Sequence, residues 1–221
     1  MSERKFPFAP DEFYHLYNRG NSKQVIFKDA YDYYHFIQLL YIANDFDTFK
    51  LRDLPEKDAF NCVRNKQLVA IGSYCLMPNH YHILIRQLED NGISKFMQKL
   101  ATGYSMYFNN KYERTGGLFE GRFKARHVDS DEYLKYLFSY IHLNPVKLID
   151  ATWKEQGIRN SEEAYTYASN YRYGSFSDYL GLVRPEHSIL NPEYFPDYYS
   201  SHRDIQKELF SWLEYGNEIT K

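Results

Sequence analysis

The chain has 221 residues, 43% of them hydrophobic, with 27 Lys/Arg against 29 Asp/Glu and a formal net charge of −2. That is enough apolar material for a packed domain, which excludes a disordered chain, while no apolar run reaches the roughly 18 residues of a membrane span. The N-terminal "MSERKFPFAPDEF" lacks the apolar stretch of a signal peptide, and Cys62 and Cys75 make neither a disulfide framework nor a C-x-x-C pair, so a cytoplasmic protein is expected.

The first element is "FYHLYNRG" (13–20), an aromatic-rich alternating strand that ends in a turn at Arg19-Gly20-Asn21. Apolar residues at Phe36, Leu39, Leu40, Ile42 and Ala43 follow helical spacing within 28–46, and a polar stretch continues to about Asn65. "QLVAIGSYCLM" (67–77) reads as a strand, "MPN" as a sharp turn, and "HYHILIR" (80–86) as a second strand. A long amphipathic helix is expected over 92–112. A glycine-rich loop, "ERTGGLFEG", then leads into the short strand "RFKARHV". The last core helix is expected from Asp129 to Asn144, with Asp129 as N-cap and Glu132 completing a capping box. Asn144-Pro145 ends it, because the residue before proline is pushed out of the α region.

The order β-α-β-β-α-β-α predicts an α+β fold: a ferredoxin-like (RRM-like) antiparallel sheet with helices on one face. Residues 1–150 are expected to form the principal domain and 151–221 a Tyr-rich extension packed on it. Charge divides in the same way. Residues 91–147 carry nine Lys/Arg against five Asp/Glu, and 148–221 carry seven against twelve, so an acidic tail masks a basic middle.

Three features bear on chemistry. In "HYH" the period of two puts His80 and His82 on one strand face, where they either hold a metal ion or sit as polar residues on a solvated face. On the last helix Tyr133, Tyr136, Tyr140 and Asn144 form a stripe at steps of three and four, bringing Tyr140 and Asn144 together near its end. Such a stripe is more often an amphipathic edge than a nucleophile. Two imidazoles and an amide oxygen can hold a divalent ion against a phosphodiester, and a phenol can then attack phosphorus to leave a phosphotyrosine. In "RFKAR", Arg122, Lys124 and Arg126 alternate with Phe123 and Ala125, giving a cationic face able to follow a phosphate backbone. Arg19 is a further phosphate candidate, and Lys147 is either a contact or plain surface.

Taken together and in order, "YHLYNRGN", "MPNHYHILI", "GGLFEGRFKARHV" and "YLFSYIHLNPVK" resemble the HUH-type single-tyrosine transposases of the small insertion-sequence class. Their chromosomal relatives, the REP-associated tyrosine transposases, are the nearest in pattern. The resemblance spans roughly residues 10–150 and implies a nucleophile at Tyr140 and metal ligands at His80, His82 and Asn144. It also implies Mg²⁺ or Mn²⁺ as cofactor, a 5′-phosphotyrosine on single-stranded DNA, recognition of a DNA hairpin, and a monomer or homodimer. Insertion-sequence enzymes have glutamine where Asn144 stands; the REP-associated group has asparagine. The expected function is therefore metal-dependent DNA strand cleavage and transfer. Alternatives are a catalytically retired hairpin-binding protein and, with less support, a zinc hydrolase.

Overall fold

The computed structural model describes residues 7–47, 54, 58–199 and 201–215; parts of the expected polar stretch before Asn65, and both ends of the expected domain ranges, lie outside them. Four strands, β1 (Phe13–Arg19), β2 (Val69–Met77), β3 (His80–Gln87) and β4 (Lys124–Val128), form one sheet in the order β2-β3-β1-β4. Every pairing is antiparallel. Helices α1 (Ala30–Ile42) and α2 (Gly92–Lys111) supply the two crossovers, and α3 (Asp131–His142) follows β4. This is the expected α+β architecture.

Strand alternation sorts the side chains into two layers. Leu16 of β1 and Tyr81, Ile83 and Ile85 of β3 face α1 and α2, burying Phe36, Ile37 and Leu40 from one and Phe96, Leu100 and Phe108 from the other. The expected helices on one face are thus α1 and α2. The last core helix takes the opposite face: Leu134, Leu137 and Ile141 pack on Cys75, Met77, Leu84 and Val128, each such burial contributing about 1.5–3 kcal/mol. Because His80 and His82 alternate with Tyr81 and Ile83, they too face α3.

The cap of α3 differs from expectation. Ser130, not Asp129, is the N-cap, and its side chain accepts from the Tyr133 N–H; Glu132 falls one position early for a capping box. Strand β4 runs on to Val128, so the chain turns one residue later, where serine serves as well as aspartate. The helix also stops earlier, at His142, and Asn144–Leu148 form a 3₁₀ turn starting at the Asn-Pro step.

Residues beyond 150 form α4 (Trp153–Gln156), α5 (Ser161–Ser169), α6 (Phe176–Tyr179) and α7 (His202–Tyr215). They bury a second cluster that includes Leu143, Val146, Trp153, Phe176, Leu209 and Leu213. The same region runs along the outer edge of β2: Leu76 N–H donates to the Tyr173 carbonyl at 2.9 Å, Ser175 N–H to Tyr74 at 3.0 Å and Asn191 N–H to Ile71 at 2.9 Å. Gly72 sits at an irregularity in β2, and a Cβ there would meet the Phe195 ring at 2.7 Å; only glycine allows that approach. Among the described residues no helix is long and apolar enough to cross a membrane.

Candidate active site at the histidine pair

The register places a row of side chains across the α3 face, Cys75–His82–Tyr17–Lys124, with a second row of Leu84–His15–Arg126 beside it. His82 is 7% exposed, and its Nδ1 lies 2.8 Å from Nε2 of His15. Burial, helped by the Arg126 charge, lowers the His15 pKa to about 4. His15 is therefore neutral at pH 7, and in the tautomer whose Nε2 accepts from His82 Nδ1–H the Nε2 of His82 is left as the acceptor nitrogen.

His80 is held in the same way by the turn before it. Asn79 Nδ2 donates to the Lys23 carbonyl at 3.3 Å, which directs its Oδ1 at His80 Nδ1, 2.7 Å away. An amide oxygen only accepts, so the proton is on Nδ1 and the lone pair on Nε2. Burial, reinforced by Lys147 and Arg19, lowers the His80 pKa to about 4, with Asn144 opposing. Both strand histidines are thus anchored through Nδ1, an arrangement that sets tautomer and ring orientation.

Tyr140 reaches this pair from above. Its ring centroid is 5.3 Å from His82 and 6.0 Å from His15, edge-on to both. Burial raises the Tyr140 pKa, with Asn144 opposing the shift. Asn144 is fully buried, and its amide lies within side-chain hydrogen-bonding reach of both His80 and Tyr140. The 3₁₀ turn after α3, rather than a last helical turn, carries the amide there.

No group of three or more His, Cys, Asp or Glu side chains spaced for a metal occurs among the described residues. The set here is two imidazoles and a carboxamide. Two imidazoles and a buried amide oxygen fit a divalent ion with positions left open.

The basic candidates divide. Lys124 lies on the histidine face and lines a cleft of about 370 Å³ together with Tyr17, Arg19, Lys23, His80 and His82. Arg126 shares that face, its guanidinium 4.5 Å from the Tyr133 ring centroid. Arg19 is at the cleft but forked onto the Glu120 carboxylate, a partner a hundred residues away that local sequence does not reveal. Arg122 precedes the paired part of β4 and is exposed. His15, Asn79, Tyr17 and Lys23 were absent from the sequence expectations. The alternation in "YHLYNR" already put His15 and Tyr17 on one face, but only strand pairing shows that this face is the histidine face.

A tyrosine of the last core helix lies over paired strand histidines on a four-stranded antiparallel sheet, and a family model places the chain among the transposases. The chain belongs to the family described as "Transposase IS200 like", whose model matches residues 14–144, more than half of its length. Its structure is similar to that of a REP-associated tyrosine transposase bound to a REP hairpin, with a TM-score of 0.50 at 16% identity, covering 84% of this chain and 90% of that one. At that identity the likeness is one of fold. No curated protein matches the chain.

Proposed function

We propose that the protein is a metal-dependent single-stranded DNA transesterase that cuts and rejoins strands beside DNA hairpins through a 5′-phosphotyrosine on Tyr140. The observation that carries the reading is the convergence of the Tyr140 ring, the anchored His80/His82 pair and the buried Asn144 amide, which interacts with both His80 and Tyr140. Family membership supports DNA strand cleavage and transfer, and the hairpin bound to the structural relative supports the substrate.

His80, His82 and Asn144 would hold Mg²⁺ or Mn²⁺, which when bound neutralises phosphate charge and favours the phenolate over the phenol. Tyr140 Oη attacks phosphorus, the P–O3′ bond breaks, and the bond pair leaves on the 3′ oxygen, which takes up a proton as Tyr140 gives one up. The products are a free 3′-OH and a 5′-phosphate esterified to tyrosine. Attack by another 3′-OH reverses the step, rejoining DNA and restoring the phenol without external energy. Burial raises the Tyr140 pKa, so the phenol stays protonated until substrate is in place. Lys124 and Arg126 face the incoming backbone.

The test uses oligonucleotides spanning hairpins that flank the gene, labelled at the 3′ end. Wild type with Mn²⁺ is expected to retain label through a denaturing gel. EDTA, Tyr140→Phe and His80→Ala/His82→Ala should each abolish that retention. Binding without an adduct by any form would instead identify a retired hairpin-binding protein, and metal-dependent cleavage by Tyr140→Phe would remove Tyr140 as nucleophile.

A further inference from the structure

The cleft beside the histidines has a composition that strand cleavage alone does not require. It is open to solvent at one side, about 370 Å³ in volume, with Tyr17 between His82 and Lys124 in one cross-strand row. Two lysines, Lys23 and Lys124, stand at it beside the Arg19–Glu120 ion pair. The Lys23 backbone is unusual: Ser22 and Lys23 both adopt left-handed conformations, φ 52° and 60°, which non-glycine residues hold at a cost. Bonds from outside the turn maintain this shape. Asn79 Nδ2 caps the Lys23 carbonyl, and the Asn21 N–H and Gln24 Nε2 both donate to the Leu118 carbonyl. The turn that orients His80 through Asn79 therefore also sets Lys23 at the rim.

We propose that this cleft is a subsite for one unpaired nucleotide, the one whose 3′ oxygen leaves when the strand is cut. The proposal rests on the transesterase reading. A volume near the lower end of small-ligand pockets, roughly 300–1,000 Å³, suits a single nucleotide. Tyr17 offers an aromatic surface for a base. In-line displacement puts the leaving oxygen opposite the attacking one. The cleft wall contains both histidines but not Tyr140, so the cleft takes the leaving side. The nucleotide's 3′-phosphate then lies at the histidines and its 5′-phosphate between Lys23 and Lys124, beside the Arg19–Glu120 pair.

Thymidine 3′,5′-bisphosphate, thymidine 3′-monophosphate and inorganic phosphate are titrated into the full chain in EDTA and followed by NMR. The bisphosphate is expected to bind at least about tenfold more tightly than phosphate, and Tyr17→Leu to lose about tenfold, while Tyr17→Phe binds as wild type. Lys23→Gln should weaken the bisphosphate and leave the 3′-monophosphate nearly unchanged. Thermal melts establish that each variant is folded. A bisphosphate that binds no better than phosphate, or a folded Tyr17→Leu variant with undiminished affinity, overturns the subsite. Equal loss of both nucleotides in Lys23→Gln overturns the orientation. The assay involves neither cleavage nor metal, so its failure is separate from absence of the covalent adduct, which tests the transesterase itself.

Discussion

Replacing His15 by leucine tests whether the histidine pair is held for a metal or merely packed. The substitution keeps a side chain of similar bulk under Tyr140 but removes the Nε2 that lies 2.8 Å from His82 Nδ1. His82 is 7% exposed, so water cannot fully replace that acceptor, and a buried donor without a partner costs about 1–3 kcal/mol. The consequence for binding is larger than for folding, because nothing then favours the tautomer with its lone pair on Nε2. Loss of such a partner typically weakens metal binding 10- to 100-fold, about 1.4–2.8 kcal/mol. Mn²⁺ titration by electron paramagnetic resonance, on wild type, His15→Leu and His15→Gln, gives the comparison. The glutamine carbonyl can accept the same proton and should recover part of the loss. If His15→Leu binds Mn²⁺ as wild type does while His82→Ala does not, the contact between the two rings is packing and the tautomer reasoning fails.

Burial holds the pKa of His35 at about 4 and of His142 at about 3, against 6.5 in an unfolded chain. Between pH 6.5 and 4 the unfolded state thus binds more protons, and stability rises with pH across that window; urea midpoints should fall from pH 7 to pH 5, less steeply in His142→Gln. Arg184, paired with the fully buried Asp178 carboxylate and donating to the carbonyls of Arg172 and Gly174, ties together the segment of the extension that lies along β2. Arg184→Ala is expected to cost about 3–5 kcal/mol by stranding the carboxylate, measured by chemical denaturation, and a loss below about 1 kcal/mol would mean that water relieves it. Lys124→Gln should reduce the salt dependence of single-stranded DNA binding by about 0.7 in log–log slope, one phosphate contact; an unchanged slope would place Lys124 off the DNA path.

The sheet and its three packed helices were legible because each is a local pattern: alternation in "HYHILIR", helical spacing in 92–112, and a polar cap before "YLFSYIHL". The errors were also local. Asp129 and Ser130 are both good caps, and only the length of β4 decides between them. Asn144 was placed on a helix end by counting steps of four, whereas the chain delivers it through a 3₁₀ turn to the same neighbourhood. Long-range pairings left no comparable trace. Nothing around Arg19 announces Glu120, and nothing around His15 announces His82, since strand register brings them together across more than sixty residues of chain. Chemistry carried by one element was readable, and chemistry assembled between elements was not.

The seal on β2 has a bearing on how the protein is made. Among the described residues, its outer edge draws most of its hydrogen-bond partners from residues 171–191, about a hundred positions further along. A ribosome-bound chain that has released all four strands still displays an unsatisfied β2 backbone, the kind of edge that recruits other strands. Stop codons or proteolytic nicks between Val146 and Tyr173 would leave the histidines, Tyr140 and Asn144 in the chain but strip this cover, so such fragments should be lost to aggregation before any defect in chemistry could be seen.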